Sequence, residues 1–281
     1  MRRRKFSWST VYLIFVFILL YIPIFYLIFY SFNQGGNMST FTGFTWEHYQ
    51  SLFSDSRLIS IVVQTFVLAF LSALLATIIG TFGAMGIYYT RKRNSRNVLL
   101  GLNNILMVSP DVIIGASFLI LFTMLGGVLK NFQLGFVSVL LSHIAFSIPI
   151  VVLMVLPKLK EMNDSMIDAA RDLGANNFQV LSNIILPFLT PGIIAGYVVA
   201  FTYSLDDFAV TFFVTGNGFT TLSVEIYSRA RQGISLEINA LSTLVFIFSL
   251  LLVVGYYFIS RDTSKKARKR KRDFEEVAIL K

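Results

Sequence analysis

An all-α, polytopic membrane protein with six transmembrane helices is the fold class this sequence predicts, and three observations carry that reading. Of its 281 residues 55% are hydrophobic and only 14% charged, with a mean hydropathy of +0.70, which lies outside the usual range of soluble globular domains. Six apolar runs are each long enough for the roughly 20 helical residues that cross a hydrocarbon core of about 30 Å. Lysine and arginine then fall in short blocks on alternate connections, the pattern that sets membrane orientation.

The runs cover about residues 11–32, 59–89, 98–125, 134–156, 188–213 and 239–260. The first follows "MRRRK" but exceeds a signal-peptide core and lacks a small-residue cleavage site, so it is expected to be a retained helix. With six spans, "RRRK" at the start, "RKRNSR" at 91–96, Lys158, Lys160, Arg171 and "KKARKRKR" near the end share one side. Only Arg57, Lys130, Arg229 and Arg231 lie on the other. Both termini are therefore expected in the cytoplasm. The chain reads as one transmembrane domain, 1–281, with a cytoplasmic insert at about 158–187. Its basic tail, about 261–281, suits an anchor near anionic lipid.

Two external connections are long enough to form surfaces. One places Phe44, Tyr49, Leu52 and Phe53 among polar residues, as in a short interfacial helix; the other begins at a Gly-Asn-Gly turn, "TGNGFTTLSVEIYSRARQGISLEI". Pro23, Pro110 and Pro149 fall inside spans, where each removes a backbone hydrogen bond and favours a kink; path lining and simple packing both remain open for them.

Composition also excludes functions. The formal net charge of +9 is spread between apolar runs, without the basic helix or stripe that tracks phosphates, so no nucleic-acid partner is expected. There is no cysteine, and two isolated histidines, His48 and His143, make no metal cluster. Neither a G-x-x-x-x-G-K-[ST] loop nor a G-x-S-x-G elbow occurs. No catalytic or metal-ligating residue and no cofactor are expected on this chain, and any energy source belongs to another subunit.

The insert contains "DAARDLGANNFQVLSNIILP", residues 168–187, which reads like a piece of soluble protein. Good helix formers run from Leu159 to Asp172 with Asn163 or Asp164 as caps, Gly174 permits a left-handed turn, and a second helix would present Phe178, Leu181 and Ile185 on one side. The predicted product is a helix–turn–helix knob. Its spacing, Asp168-Ala169-Ala170, three residues, Gly174, nine residues, Ile184, one residue, Leu186-Pro187, resembles the EAA loop of ABC importer permeases, with Asp168 in the place of the usual glutamate. That resemblance implies a type I ABC importer permease (MetI-like) fold. It also implies a coupling role for Asp168, Ala169, Ala170, Gly174, Ile184, Leu186 and Pro187 against an ATPase dimer that carries ATP and Mg.

Ionisable groups in spans cost roughly 2.5–3.5 kcal/mol near a helix centre and face a cavity or a partner. Asp111 follows Pro110 in the middle of the third predicted span, and Asp206 and Asp207 lie in the outer part of the fifth. Tyr203, Asp207 and Thr211 form an i, i+4 stripe there, compatible with a path for organic cations or with a buried helix cap. His143 reads as bundle packing.

"SPDVIIGASFLILF", "DAARDLGANNFQVLSNIILP", "FTYSLDDFAVTFFVTG" and "EIYSRARQGISLEINALST" together resemble the PotC-type permease family of spermidine/putrescine importers over nearly the whole chain. The resemblance implies a bacterial cell-membrane importer of spermidine, putrescine or both. It would work with a second, homologous permease, an ATPase dimer and an extracellular substrate-binding protein. Asp111, Tyr203, Asp206, Asp207 and, more remotely, Glu225 are its candidate path residues. Iron, thiosulfate or an organophosphonate would keep the architecture and change the cargo, and an ion-coupled secondary transporter or a membrane enzyme is the remaining alternative.

Overall fold

A computed structural model describes residues 8–36, 38–128, 132–232, 235–251 and 253–255. The basic block at the N-terminus, Lys130 and the basic tail at about 261–281 lie outside these residues. The described chain is helical, and its β pairing is one isolated bridge between Asn33 and Phe44. In order it forms α1 (Trp8–Tyr30), α2 (Glu47–Ser54), α3 (Ser56–Tyr89), α4 (Arg93–Val108), α5 (Asp111–Val128), α6 (Phe136–Glu161), α7 (Ser165–Asp172), α8 (Asn177–Val180), a π-helical turn (Leu181–Ile185), α9 (Leu186–Asp206), α10 (Ala209–Val214) and α11 (Leu222–Gln232). A last helix, α12, covers Leu236–Gly255. Six helical stretches are long and apolar enough to cross a membrane: Thr10–Tyr30, Ser56–Tyr89, Asp111–Val128, Phe136–Glu161, Asn177–Asp206 and Leu236–Gly255.

Two of these differ from the sequence reading. The run 98–125 is not one helix but α4 and α5, parted at Ser109–Pro110. Ser109 adopts φ −71° and ψ 137°, the extended conformation that a following proline ring imposes. Asp111 therefore starts α5 instead of lying mid-span. The fifth stretch starts earlier than expected, at Asn177, and its helix stops at Asp206 before the short α10 resumes. Pro23 and Pro149, by contrast, sit inside α1 and α6 without ending them.

The chain divides into two compact units, residues 1–60 with 225–255, and residues 61–224 with 256–281. In the first, the expected short helix is α2, with Tyr49 and Leu52 buried while Phe44 and Phe53 stay exposed. Phe32 stacks against Phe44 and Tyr49 with ring centroids 5.1 and 5.0 Å away. Buried Asn33 ties down the turn beneath, donating to the Thr40 carbonyl at 2.9 Å and accepting the Thr42 N–H at 2.8 Å.

In the second unit α6 is the central helix. Its Val151 lies against two glycines: a Cβ at Gly80 of α3 would stand 2.7 Å from the Val151 Cβ, and one at Gly196 of α9 would stand 3.3 Å from the Val151 Cα. Lipid removes the hydrophobic drive between spans, so such backbone approach supplies the dispersion contact that holds them together. A second close approach joins α5 to α10, where a Cβ at Gly115 would meet Phe213 Cδ2 at 2.7 Å and the Ala209 carbonyl oxygen at 3.1 Å.

Gly115→Ala should accordingly destabilise the protein by about 1–3 kcal/mol through overpacking against backbone that cannot yield. Gly86→Ala, where a Cβ meets nothing within 4 Å, is the control and should be neutral or stabilising. Thermal unfolding of the two variants in the same detergent checks this; equal melting temperatures would contradict it.

Candidate functional site

The insert folds as a knob whose every turn has a local cause. Asn163 Oδ1 accepts the Ser165 N–H at 3.1 Å at the start of α7. At its end Gly174 takes φ +82°, with Gly174 N–H on the Arg171 carbonyl (2.9 Å) and Ala175 N–H on the Ala170 carbonyl (3.0 Å), a Schellman motif. Asn176 and Gln179 then exchange side chain-to-backbone hydrogen bonds of 2.8 and 2.9 Å, a capping box that starts α8.

The π-helical turn Leu181–Ile185 falls just before Pro187. A proline ring strikes the carbonyl four residues back in a regular helix, here that of Asn183, and the wider turn opens the backbone at that place. The wider turn also shifts the helical phase. Phe178 points outward with 75% exposure, while Val180 and Ile185 are buried, so the expected common face of Phe178, Leu181 and Ile185 is not formed.

Ile167, Val180, Ile185 and Leu189 seat the knob on a core that includes Ile87, Leu156, Leu159 and Met162. The seven motif positions divide accordingly. Asp168, Ala169 and Gly174 are exposed with Leu173 (89%) and Phe178; Ala170 is half-buried against the core. Ile184, Leu186 and Pro187 form the root that leads into α9.

The five path candidates also separate into two kinds. Asp207 is turned inward with its side chain 6% exposed. Its carboxylate accepts the Thr211 N–H (2.8 Å), the Thr211 hydroxyl (2.7 Å) and the Val210 N–H (3.4 Å), which starts α10. Fully buried His143 of α6 lies beyond, its Nε2 at 2.8 Å from Thr211 Oγ1 and its Nδ1 at 2.6 Å from Ser204 Oγ. Ser204 continues the chain to Ser72 of α3 at 2.9 Å. His143 thus packs in the bundle as expected, but within a polar network the hydropathy pattern could not reveal, because serine and threonine are nearly neutral on that scale.

Glu225, on α11, is likewise occupied: it accepts from Arg229 Nε at 2.8 Å and from Arg57 Nη2 at 3.2 Å. Arg229 also reaches Asp55 Oδ2 at 3.3 Å. Asp55 caps α3, its Oδ1 accepting the N–H groups of Leu58 (3.1 Å) and Arg57 (3.0 Å). These donors, the Leu58 N–H foremost and Arg229 with them, hold the Asp55 carboxyl below the usual aspartate range. Burial works against the Arg229 charge, yet its bonds to Glu225 and Asp55 raise its pKa on balance.

Asp111 and Asp206 are the other kind. Both are exposed, and neither forms an ion pair among the described residues. Tyr203 donates to Asp111 Oδ1 at 3.0 Å from α9, one turn before Asp206 on the same helix, and its ring meets Phe146 edge-on at 5.1 Å. Asp206 is the last residue of α9, where the partial negative charge of the helix end disfavours a carboxylate.

Six apolar helices, a knob between the fourth and fifth, and unpaired acids within the spans define a multi-pass membrane transport protein. Residues 76–266 match the family model described as "Binding-protein-dependent transport system inner membrane component", and the chain belongs to that family, an ABC importer permease and not an enzyme. It is 40% identical over 250 residues to the spermidine/putrescine transport system permease protein PotC of Escherichia coli strain K12, covering 89% of this chain and 92% of that one. Identity to the putrescine transport system permease protein PotI of the same strain is 33% over 263 residues, 93% and 94% of the two chains. Among solved structures, a bacterial ABC transporter for alginate import superposes with a TM-score of 0.71 at 18% identity, over 91% of this chain and 94% of that one. The MetNI methionine ABC transporter gives 0.60 at 19% identity, over 73% and 95%. These two show the fold.

The Asp55 cap gives a pH dependence of known sign. Because its folded pKa is lowered, its contribution is fully present above the ordinary aspartate pKa of about 4 and is lost as pH falls through the lower folded value. Helical circular dichroism in detergent should therefore fall less steeply in this acid range for Asp55→Asn than for the parent. Coincident acid profiles would refute this assignment.

Proposed function

We propose that the chain is the permease subunit of an ATP-driven ABC importer for polyamines, spermidine or putrescine or both, and forms half of the translocation path. The observation that carries the cargo is the exposure of Asp111 and Asp206 in spans with no cation beside them, while Asp207 and Glu225 are engaged by the protein. Unpaired carboxylates in a membrane are costly, and a passing polycation supplies the missing charge. Tyr203, bonded to one and a turn from the other, adds an aromatic face for an ammonium group. An anionic cargo such as thiosulfate gains nothing from this arrangement. The 40% identity to a spermidine/putrescine permease supports the same cargo.

The working assembly adds a second, homologous permease, two ATPase subunits carrying ATP and Mg, and an extracellular binding protein. The knob faces the cytoplasm with both termini, on the side of Arg91, Lys92, Arg93, Arg96, Lys158 and Lys160. Closure of the ATPase dimer moves the exposed surface of Asp168, Ala169, Leu173 and Gly174, and the bundle alternates between inward-facing and outward-facing states. The root residues Ile184, Leu186 and Pro187 pass that movement to α9.

Two experiments test this reading in the complete complex reconstituted in vesicles. Asp206→Asn and Asp111→Asn should each lower ATP-driven polyamine uptake about tenfold, the effect of roughly 1.4 kcal/mol of lost cation stabilisation, with assembly retained; unchanged uptake in both would remove the acids from the path. Gly174→Val should reduce coupling of ATP hydrolysis to uptake, because a β-branched residue at φ +82° costs of the order of 1–2 kcal/mol, whereas Gly174→Asn, whose residue tolerates that backbone, should retain it. Since a Cβ there meets nothing within 4 Å, equal behaviour of the two would exclude the turn as the cause.

A further inference from the structure

We infer that His143 is a positioning residue for cation passage: it clamps the break between α9 and α10, holding Asp207 inside so that Asp206 is the carboxylate presented at the surface. The inference rests on the reading of Asp206 as a path residue and goes beyond it by naming what sets that residue's orientation.

The two ring nitrogens engage different sides of the break. Nδ1 meets Ser204, in the last turn of α9, at 2.6 Å, and Nε2 meets Thr211 of α10 at 2.8 Å. Between them the chain leaves helical geometry at Asp207, with φ −59° and ψ 122°. With the Thr211 hydroxyl donating to Asp207, its oxygen is free to accept, so Nε2 donates to Thr211 and Nδ1 accepts from Ser204. The same Nε2 lies 3.5 Å from Asp207 Oδ2. All four side chains are buried, so each bond is made where water cannot replace it.

Asp206 and Asp207 are adjacent acids of the same type, and a modest rotation at their junction would exchange which one faces outward. The bonds from Thr211 and Val210 to Asp207 are local to α10 and move with it. Ser72 of α3 and Asp111 of α5 bond the last turn of α9, through Ser204 and Tyr203, and Ser138 of α6 bonds the far end of α10, but among the described residues it is His143 of α6 whose side chain bonds both sides of the break. An imidazole suits the task because it is rigid and carries polar atoms on two edges. Glutamine places a nitrogen near the position of Nε2, asparagine near that of Nδ1, and leucine neither.

The test uses the complete complex in vesicles. His143→Leu and His143→Asn should lower polyamine uptake about tenfold or more, as loss of a buried hydrogen bond in a charged network gives, while His143→Gln, which keeps the Thr211 side, should stay within about threefold of the parent. The chain contains no cysteine, so Asp206→Cys gives a single thiol in it whose rate of modification by a cationic methanethiosulfonate reports exposure. That rate should fall about tenfold on adding His143→Leu and little on adding His143→Gln. Equal uptake for the Gln and Asn variants, or an unchanged thiol rate with Leu, overturns the clamp. If the Leu variant does not assemble, the Gln–Asn contrast in both readouts decides. Should Asp206→Asn itself leave uptake unchanged, the path reading fails, and the thiol rates still determine whether His143 sets the orientation at residue 206.

Discussion

Hydrocarbon offers no water to an unpaired peptide group, so every interruption of a spanning helix has to be repaired from within the protein. Two such interruptions, at Ser109–Pro110 and at Asp207, lie among the described residues, and each determines where an acid lies. At Ser109–Pro110 the proline brings no N–H to orphan, the Ser109 hydroxyl returns to the Ile105 carbonyl at 2.7 Å, and the Pro110 carbonyl accepts from Ile113 at 2.9 Å. At Asp207 the carboxylate itself replaces the missing acceptors for α10, and Ser138 of α6 donates to the Val214 carbonyl at the other end of that helix at 2.7 Å. Asp111 and Asp207 thus occupy helix starts, where the backbone favours negative charge, and Asp206 alone occupies a helix end, where it does not. Asp206 is thus exposed without an ion pair in the least favourable of the three places, while Asp111, equally exposed, has the support of a helix start.

The knob obeys the opposite economy. Its exterior is kept small and its interior well held: a Schellman turn, a capping box and buried Ile167, Val180 and Ile185 fix the backbone before any partner arrives. Leu173 and Phe178 project from this frame as exposed apolar groups. A rigid protrusion with apolar tips transmits displacement without first absorbing it in side-chain or backbone rearrangement, the property that coupling to a separate motor demands.

Much of this was legible in sequence because it is carried by strong local signals. Spans announce themselves by length and hydropathy, and Gly174 by being the residue type that a left-handed turn most readily accepts. The division of the third predicted span was in principle readable from Pro110, yet Pro23 and Pro149 lie within unbroken helices; whether a proline kinks or divides depends on packing that hydropathy does not encode. The phase of Phe178 was misplaced because a π-helical turn adds a residue to the repeat, and a 3.6-residue count cannot anticipate it. The separation of Asp206 from Asp207 depends on His143, Ser204, Thr211 and Ser72, residues dispersed over four helices whose meeting is a property of the tertiary fold alone.

One geometric consequence connects the knob to the acids. The second half of the knob and α9 form a single stretch of 30 residues, Asn177–Asp206, about 45 Å long at 1.5 Å per residue. Phe178 lies near its first turn and Asp206 is its last residue, so on the proposed mechanism the element that receives force and the element that presents charge are the two ends of one rod. The rod's backbone comes close to α6 near its middle, at Gly196 against Val151 and at Gly192, where a Cβ would approach the Met154 carbonyl to 3.0 Å. On that mechanism the departure from helical geometry at Asp207 would let the far end move without carrying α10 through the same arc, and the His143 bonds to Ser204 and Thr211 across the break would limit that movement.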